Sequence, residues 1–258
     1  MKTLRPAIFM HIQKTAGTTI VNLARSAYGN HDIISHGDYL EGVSHFPLKK
    51  DFKVNEQVLH DFQKVPFLSG HFGYAFAKQY MRDRYSFTFL RNPVERVLSF
   101  YYFCRTRDPN AFEIYSLSQK TTLNGFLQMG LVEPEVKYYI WNNQVWQLAC
   151  GFGSLDNRAL SSFERGELLD LALSHLDEFS YIGFAESFEQ DRDRVLTDLG
   201  IETPKEKIVS NATPGRPVSD DLPQSTVALL LELTELDRVL YEKVQSRKMS
   251  HAHKGIRK

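Results

Sequence analysis

The chain has 258 residues, 42% hydrophobic and 24% charged, which is ordinary for a globular protein and long enough for one large α/β domain or two small ones. Lysine plus arginine and aspartate plus glutamate balance at 31 each, so no global field draws the protein to nucleic acid or to an anionic surface, and an anionic ligand has to be held by local positive groups. The two cysteines, Cys104 and Cys150, have a spacing that suits neither zinc nor a disulfide framework and read as reduced thiols. The N-terminal apolar stretch, Ala7 to Met10, is too short for a signal peptide or a membrane anchor. The expectation is a cytoplasmic protein with no transmembrane segment.

There is no internal repeat and no low-complexity segment. After Pro6, the run Ala7-Ile8-Phe9-Met10-His11-Ile12 has the character of a buried strand. Gln13-Lys14-Thr15-Ala16-Gly17 then reads as a tight loop, and Thr18 to Tyr28 as a helix with Ile20, Val21, Leu23, Ala24 and Ala27 on its apolar face. Residues 30–65, which hold His31, His36, His45 and His60, give no clear element. Val65 to Leu68 suggests a second strand ending at Ser69-Gly70-His71, followed by a helix from Tyr74 to Arg82. Tyr85 to Leu90, aromatic and β-favouring, predicts a strand, and Pro93 in Arg91-Asn92-Pro93 suits the first turn of a helix running through Tyr101.

Residues 106–133 are looser, with a helical piece from Leu123 to Met129. Glu135 to Ala149 reads as one helix and Leu168 to Leu176 as another. Tyr181 to Phe184 is a short strand, and Phe188 to Leu199 a helix ended by Gly200. A Pro- and Gly-containing loop from Asn211 to Pro217 precedes a helix start at Ser219-Asp220-Asp221 with Pro223, and that helix continues to about Val244. This leaves residues 1–246 as a single domain and 247–258 as a basic, flexible tail. Strands alternating with helices predict a three-layer α/β fold, a central, mainly parallel sheet flanked by helices, with ligands bound beyond the carboxyl ends of the strands.

The first strand–loop–helix is an anion site in outline. Backbone N–H groups at a helix N-terminus are unpaired and carry partial positive charge. Gly17 allows close approach of backbone to phosphate, Lys14 adds a full charge, and Thr15, Thr18 and Thr19 add hydroxyl donors. The loop is not that of a nucleoside triphosphatase, because its lysine precedes the glycine by three residues instead of following it. The second strand–turn–helix puts Arg91 at a strand end, where its guanidinium can grip a phosphate bidentately, and Ser99 two turns into the following helix.

Taken together, these two motifs resemble a known family. His11-Ile12-Gln13-Lys14-Thr15-Ala16-Gly17-Thr18-Thr19 resembles the 5′-phosphosulfate loop of the Golgi carbohydrate sulfotransferases, most of all the heparan sulfate 6-O-sulfotransferases, which usually carry Gly where this chain has Ala16. Phe89-Leu90-Arg91-Asn92-Pro93-Val94-Glu95-Arg96-Val97-Leu98-Ser99-Phe100-Tyr101-Tyr102 resembles the 3′-phosphate motif of the same superfamily. That stretch and Ser69-Gly70-His71 are similar to the heparan sulfate and uronyl 2-O-sulfotransferases. Asn143-Gln144, Leu148-Ala149 and the segment from Phe179 to Leu199 are also similar to family segments.

The resemblance implies a P-loop-like fold, 3′-phosphoadenosine 5′-phosphosulfate (PAPS) as donor, 3′,5′-ADP as product, and no metal. It implies that Lys14 and the backbone amides of Thr15, Ala16, Gly17, Thr18 and Thr19 hold the 5′-phosphosulfate, and that Arg91 and Ser99 hold the 3′-phosphate. Thr213, Gly215 and Arg216 fall in the loop that in the family closes over the nucleotide. The Golgi enzymes' membrane anchor and lumenal disulfides have no counterpart here, and a Golgi setting is not carried over.

Transfer to a hydroxyl needs a cation at the leaving group and a general base at the acceptor. Lys14 suits the first role. His71, after Gly70 at an expected strand end, suits the second, since the related 2-O-sulfotransferases carry their base in a matching Gly-His segment. His36 and His45 are alternatives as base or acceptor contact, and His11 reads as structural. An acceptor, by resemblance a glycan, would approach over residues 36–46 and 102–116, with His36, Tyr102 and Arg105 as candidate contacts and Arg107 and Lys78 as further cations for an acidic sugar. Two other readings stand beside this one: a nucleotide-dependent phosphotransferase, for which no Walker-type aspartate follows an apolar strand, and a non-catalytic 3′,5′-ADP-binding module.

Overall fold

The computed structural model describes residues 3–35, 62–151, 164–204 and 221–255. In chain order the elements are β1 (Ala7–Met10), α1 (Gly17–Tyr28), β2 (Ile33–Ile34), β3 (Phe67–Gly70), α2 (Tyr74–Met81), β4 (Tyr85–Leu90), α3 (Pro93–Cys104), α4 (Glu113–Lys120), α5 (Leu123–Val132), α6 (Pro134–Ile140), α7 (Asn143–Ala149), α8 (Arg165–Leu176), β5 (Tyr181–Phe184), α9 (Phe188–Leu199), α10 (Gln224–Leu233) and α11 (Glu235–Gly255). The chain groups into two compact units. The first comprises Met1–Leu90 and Trp146–Asn211, the second Arg91–Val145 and Ala212–Lys258.

The first unit holds a five-stranded sheet in the order β2-β3-β1-β4-β5, with every pair parallel. Each residue of β1, β3 and β4 is buried, the mark of strands covered on both faces and the reason they read as continuous apolar runs. On one face, Phe9, Phe67, Phe87 and Phe89 pack with Ile20 and Ala24 of α1 and with Phe188, Val195 and Leu199 of α9. Phe9 and Phe87, neighbours across the β1–β4 pair, stack with ring centroids 4.6 Å apart. Gly183 on β5 has no side chain because Phe89 fills the place: a Cβ there would fall 2.5 Å from that ring.

Strand β3, expected from Val65 to Leu68, starts later than the sequence suggests. It runs from Phe67 to Gly70 and not from Val65, because Pro66 has no N–H to give the ladder and contributes only its carbonyl, which accepts from Ala7 N–H at 2.8 Å. With Met10 opposite Gly70, the residues that leave the two strands, His11 and His71, emerge side by side.

The second unit is helical, and two of its elements depart from expectation for one reason. The single helix expected from Glu135 to Ala149 is broken at Asn142, whose φ of 41° is left-handed. The single helix expected to about Val244 is broken at Thr234. The breaks serve one another. The side-chain oxygen of Asn142 accepts from Leu236 N–H at 2.8 Å and Asp237 N–H at 3.2 Å, capping α11. The Asp237 carboxylate accepts from Gln144 N–H at 3.3 Å and Val145 N–H at 2.7 Å, capping α7. Helix α11 continues past Val244 to Gly255. Arg247, Lys248 and Met249 are good helix formers, and basic residues are favoured towards a helix C-terminus. Helix α4 occupies part of the segment that reads as loose. Cys104 and Cys150 are buried free thiols, and among the described residues no helix is long and apolar enough to cross a membrane.

Asp237 and Arg96 are both fully buried. Burial pushes the Asp237 carboxyl up to about 6, against the opposing pull of its backbone N–H donors and of Arg96. The folded chain therefore holds that proton more tightly than the unfolded chain does, and the group favours folding increasingly as pH falls through 6 toward the ordinary carboxylate range. Urea titrations of wild type and Asp237→Asn across this window check the sign. The wild type gains stability relative to the variant on acidification, because asparagine keeps the acceptor oxygen and loses the titration.

Candidate active site

The β1–α1 loop is built from two left-handed residues, Lys14 with φ 69° and Ala16 with φ 68°. Left-handed backbone of this kind turns N–H groups toward one side, the concave arrangement that receives anions. Thr15 is fully buried, and its hydroxyl donates to the Ile12 carbonyl at 2.8 Å, closing the turn from within. Of the other two threonines, Thr18 is exposed and Thr19 half-buried. Ala16 is the N-cap of α1 and no side chain caps the helix, so its first N–H groups present their partial charge at the loop. Gly17 is required for packing: a Cβ there would sit 2.3 Å from His11 Nε2 and 2.7 Å from Phe9 Cε1.

His11 follows β1 and is buried, stacked on Phe9 and 4.9 Å from it between centroids. Burial, and after it the neighbouring His71 and Lys14, hold its imidazole well below the ordinary range, so it is neutral. His71, half-buried, packs its ring 4.5 Å from that of His11 and donates Nδ1–H to the His11 carbonyl at 2.7 Å. A carbonyl can only accept, so this bond places the proton of neutral His71 on Nδ1 and its lone pair on Nε2. The buried amide of Gln147 donates to the same carbonyl at 3.3 Å and to the Phe72 carbonyl at 3.0 Å.

In the second unit, Arg91 directly precedes α3. Asn92 accepts from Glu95 N–H at 3.2 Å as N-cap and Pro93 opens the helix, a start legible from Asn-Pro-x-Glu. The Arg91 peptide is fixed by Gln144, whose side-chain oxygen accepts from Arg91 N–H and whose amide nitrogen donates to the Arg91 carbonyl, both at 2.9 Å. Ser99 lies on α3 and is buried.

Residues 5–243 match the model of a family described as the sulfotransferase family. The chain belongs to that family. Among solved structures it is similar to a sulfotransferase from Alicyclobacillus acidocaldarius, with 14% identity over 92% of this chain and 96% of that one and a TM-score of 0.46. No curated protein matches.

Tyr102 is half-buried, edge-on to Tyr101. Arg105 Nη1 donates to the carbonyls of Ser118 at 2.8 Å and Thr121 at 3.3 Å and to the Tyr101 hydroxyl at 3.1 Å, bonds that tie α3 to α4. Lys78 is paired with Glu178, and Arg107 lies 4.3 Å from the Phe103 ring. His36, His45, Thr213, Gly215 and Arg216 lie outside the described residues. Sequence reasoning passed over Gln147 altogether and gave Gln144 no role. A glutamine that holds main-chain groups distant in sequence leaves no local pattern.

Ala16 and Gly17 give opposite predictions. Ala16→Gly relieves a left-handed alanine and should stabilise the protein by about 1 kcal/mol, about 2–4 °C in Tm. Gly17→Ala forces the His11 ring to move and should cost about 1–3 kcal/mol. Differential scanning calorimetry of the two variants measures both.

Proposed function

We propose that this sulfotransferase moves a sulfuryl group from PAPS to an acceptor hydroxyl, with His71 as general base. The observation that carries the reading is the pairing of β1 with β3. Parallel neighbours with Met10 opposite Gly70 put His71 and the loop of Lys14 at the carboxyl ends of adjacent strands. In an α/β sheet that is where ligands bind.

In the first unit, Lys14 and the N–H groups from Thr15 to Thr19 receive the phosphosulfate. In the second, Arg91 and Ser99 are the candidates for the 3′-phosphate. The acceptor oxygen attacks sulfur as its proton passes to Nε2 of His71. The bond from sulfur to the bridging oxygen breaks, and the electron pair leaves with 3′,5′-ADP. Negative charge grows on that bridging oxygen, and the Lys14 ammonium stabilises it more in the transition state than in the ground state. Neutral His11 behind His71 favours proton uptake there, because no second imidazolium opposes it. None of these steps calls for a metal. A glycan is the leading acceptor by resemblance, and the cytosol the leading compartment.

Radiolabelled PAPS offered with a panel of glycans and small alcohols tests the reading. Transfer to at least one is expected; no transfer together with no thermal shift by 3′,5′-ADP would sink it. Lys14→Ala and Arg91→Ala should each weaken 3′,5′-ADP binding by about tenfold or more, the scale of a lost charge-assisted phosphate contact. His71→Ala should abolish transfer and leave that binding intact. Transfer retained by His71→Ala would remove the base assignment.

A further inference from the structure

We infer that Gln147 is a positioning residue for the base: its amide fixes two main-chain carbonyls beside His71 and so holds the imidazole with its proton on Nδ1 and its lone pair toward the acceptor. The inference rests on the reading of His71 as base.

The argument begins with what His71 needs. An imidazole that must accept a proton at Nε2 has to carry its own proton on Nδ1, and a tautomer is set by the partner of the other nitrogen. That partner is the His11 carbonyl. The carbonyl is therefore part of the apparatus, and its direction decides where the ring points. Gln147 Nε2 bonds this carbonyl and the carbonyl of Phe72, the residue after His71. An amide nitrogen has two N–H groups, one for each oxygen, and rotating the amide by half a turn would set oxygen against both carbonyls. The orientation is thus fixed by its partners.

Backbone packing keeps the amide in reach. A Cβ on Gly73 would fall 1.8 Å from the Cys150 carbonyl oxygen, and one on Gly151 would fall 2.6 Å from Gly73 Cα and 2.9 Å from Gln147 Cα. The chain just after His71 and the chain at the end of α7 touch main chain to main chain, with Gly151 in the left-handed region at φ 69°. Gln147 is fully buried, so water does not compete for its donors. Its side-chain oxygen is buried without a partner among the described residues, which costs stability. A residue kept there only for packing would avoid that cost.

The test reads the tautomer directly. Long-range 1H–15N spectra of the intact protein, taken at alkaline pH where His71 is neutral, should show Nδ1 protonated in wild type; a proton on Nε2 there overturns the inference without any variant. In Gln147→Leu the spectra should show a mixture of tautomers. The turnover number should fall ~10- to 100-fold, the scale of a misplaced reacting group, with 3′,5′-ADP affinity within about twofold of wild type. An unchanged Nδ1–H tautomer in the variant overturns the inference whatever happens to turnover. Gln147→Glu, which fills the same volume and at that pH has no N–H, provides the same readout should the leucine variant not fold. Because the tautomer is measured without substrate, failure here is separable from failure of the base assignment, which His71→Ala decides.

Discussion

A carbonyl oxygen has two lone pairs, and the oxygen of His11 uses both to build the candidate site. It takes the Nδ1 proton of His71 and a proton of Gln147, while the N–H of the same residue bonds Gly70 and ties β1 to β3. The His11 ring packs against Phe9, against the face of Gly17 and against His71. One residue at the end of the central strand therefore sets the position of His71 and the start of the helix whose N-terminus faces the loop. The arrangement requires a neutral imidazole, and burial beside His71 and Lys14 keeps it so. A charged ring there would repel both groups that the chemistry calls on.

The loop reaches its shape by a related economy of partners. Thr15 turns its hydroxyl inward to the Ile12 carbonyl and closes the turn from within. Two residues with side chains, Lys14 and Ala16, adopt backbone conformations that glycine would adopt more readily, so local strain accompanies the anion-binding geometry. At Arg91 the device differs. The turn itself is ordinary, with an asparagine cap and a proline, and Gln144 holds its peptide by both ends.

The parts legible in the sequence are those encoded over a few neighbouring residues. The strand from Tyr85 to Leu90, the strand from Tyr181 to Phe184 and the helix closed by Gly200 follow from composition and period, and the structure has them at the expected bounds. The loop at Lys14 and the turn at Arg91 announce themselves because each joins a strand to a helix with the residues an anion needs. Other features were hidden because their cause lies far along the chain. The apolar period runs through Asn142 and Thr234 without interruption, and what breaks those helices is a pair of caps supplied across 92 to 95 residues. Arg105 reads as a cation for a ligand, and its bonds between two helices are something charge alone does not reveal. The histidine at 71 was visible from its place after a strand; the carbonyl that selects its tautomer was not.

The exchange of caps between Asn142 and Asp237 also bears on the order in which the protein takes shape as it is made. A ribosome delivers Asn143 and its neighbours long before it delivers residue 237, so the first turn of α7 meets water or a chaperone during that interval. The first turn of the same helix includes Gln144, which holds the peptide of Arg91. The cap of α7 is thus complete only once α11 is in place.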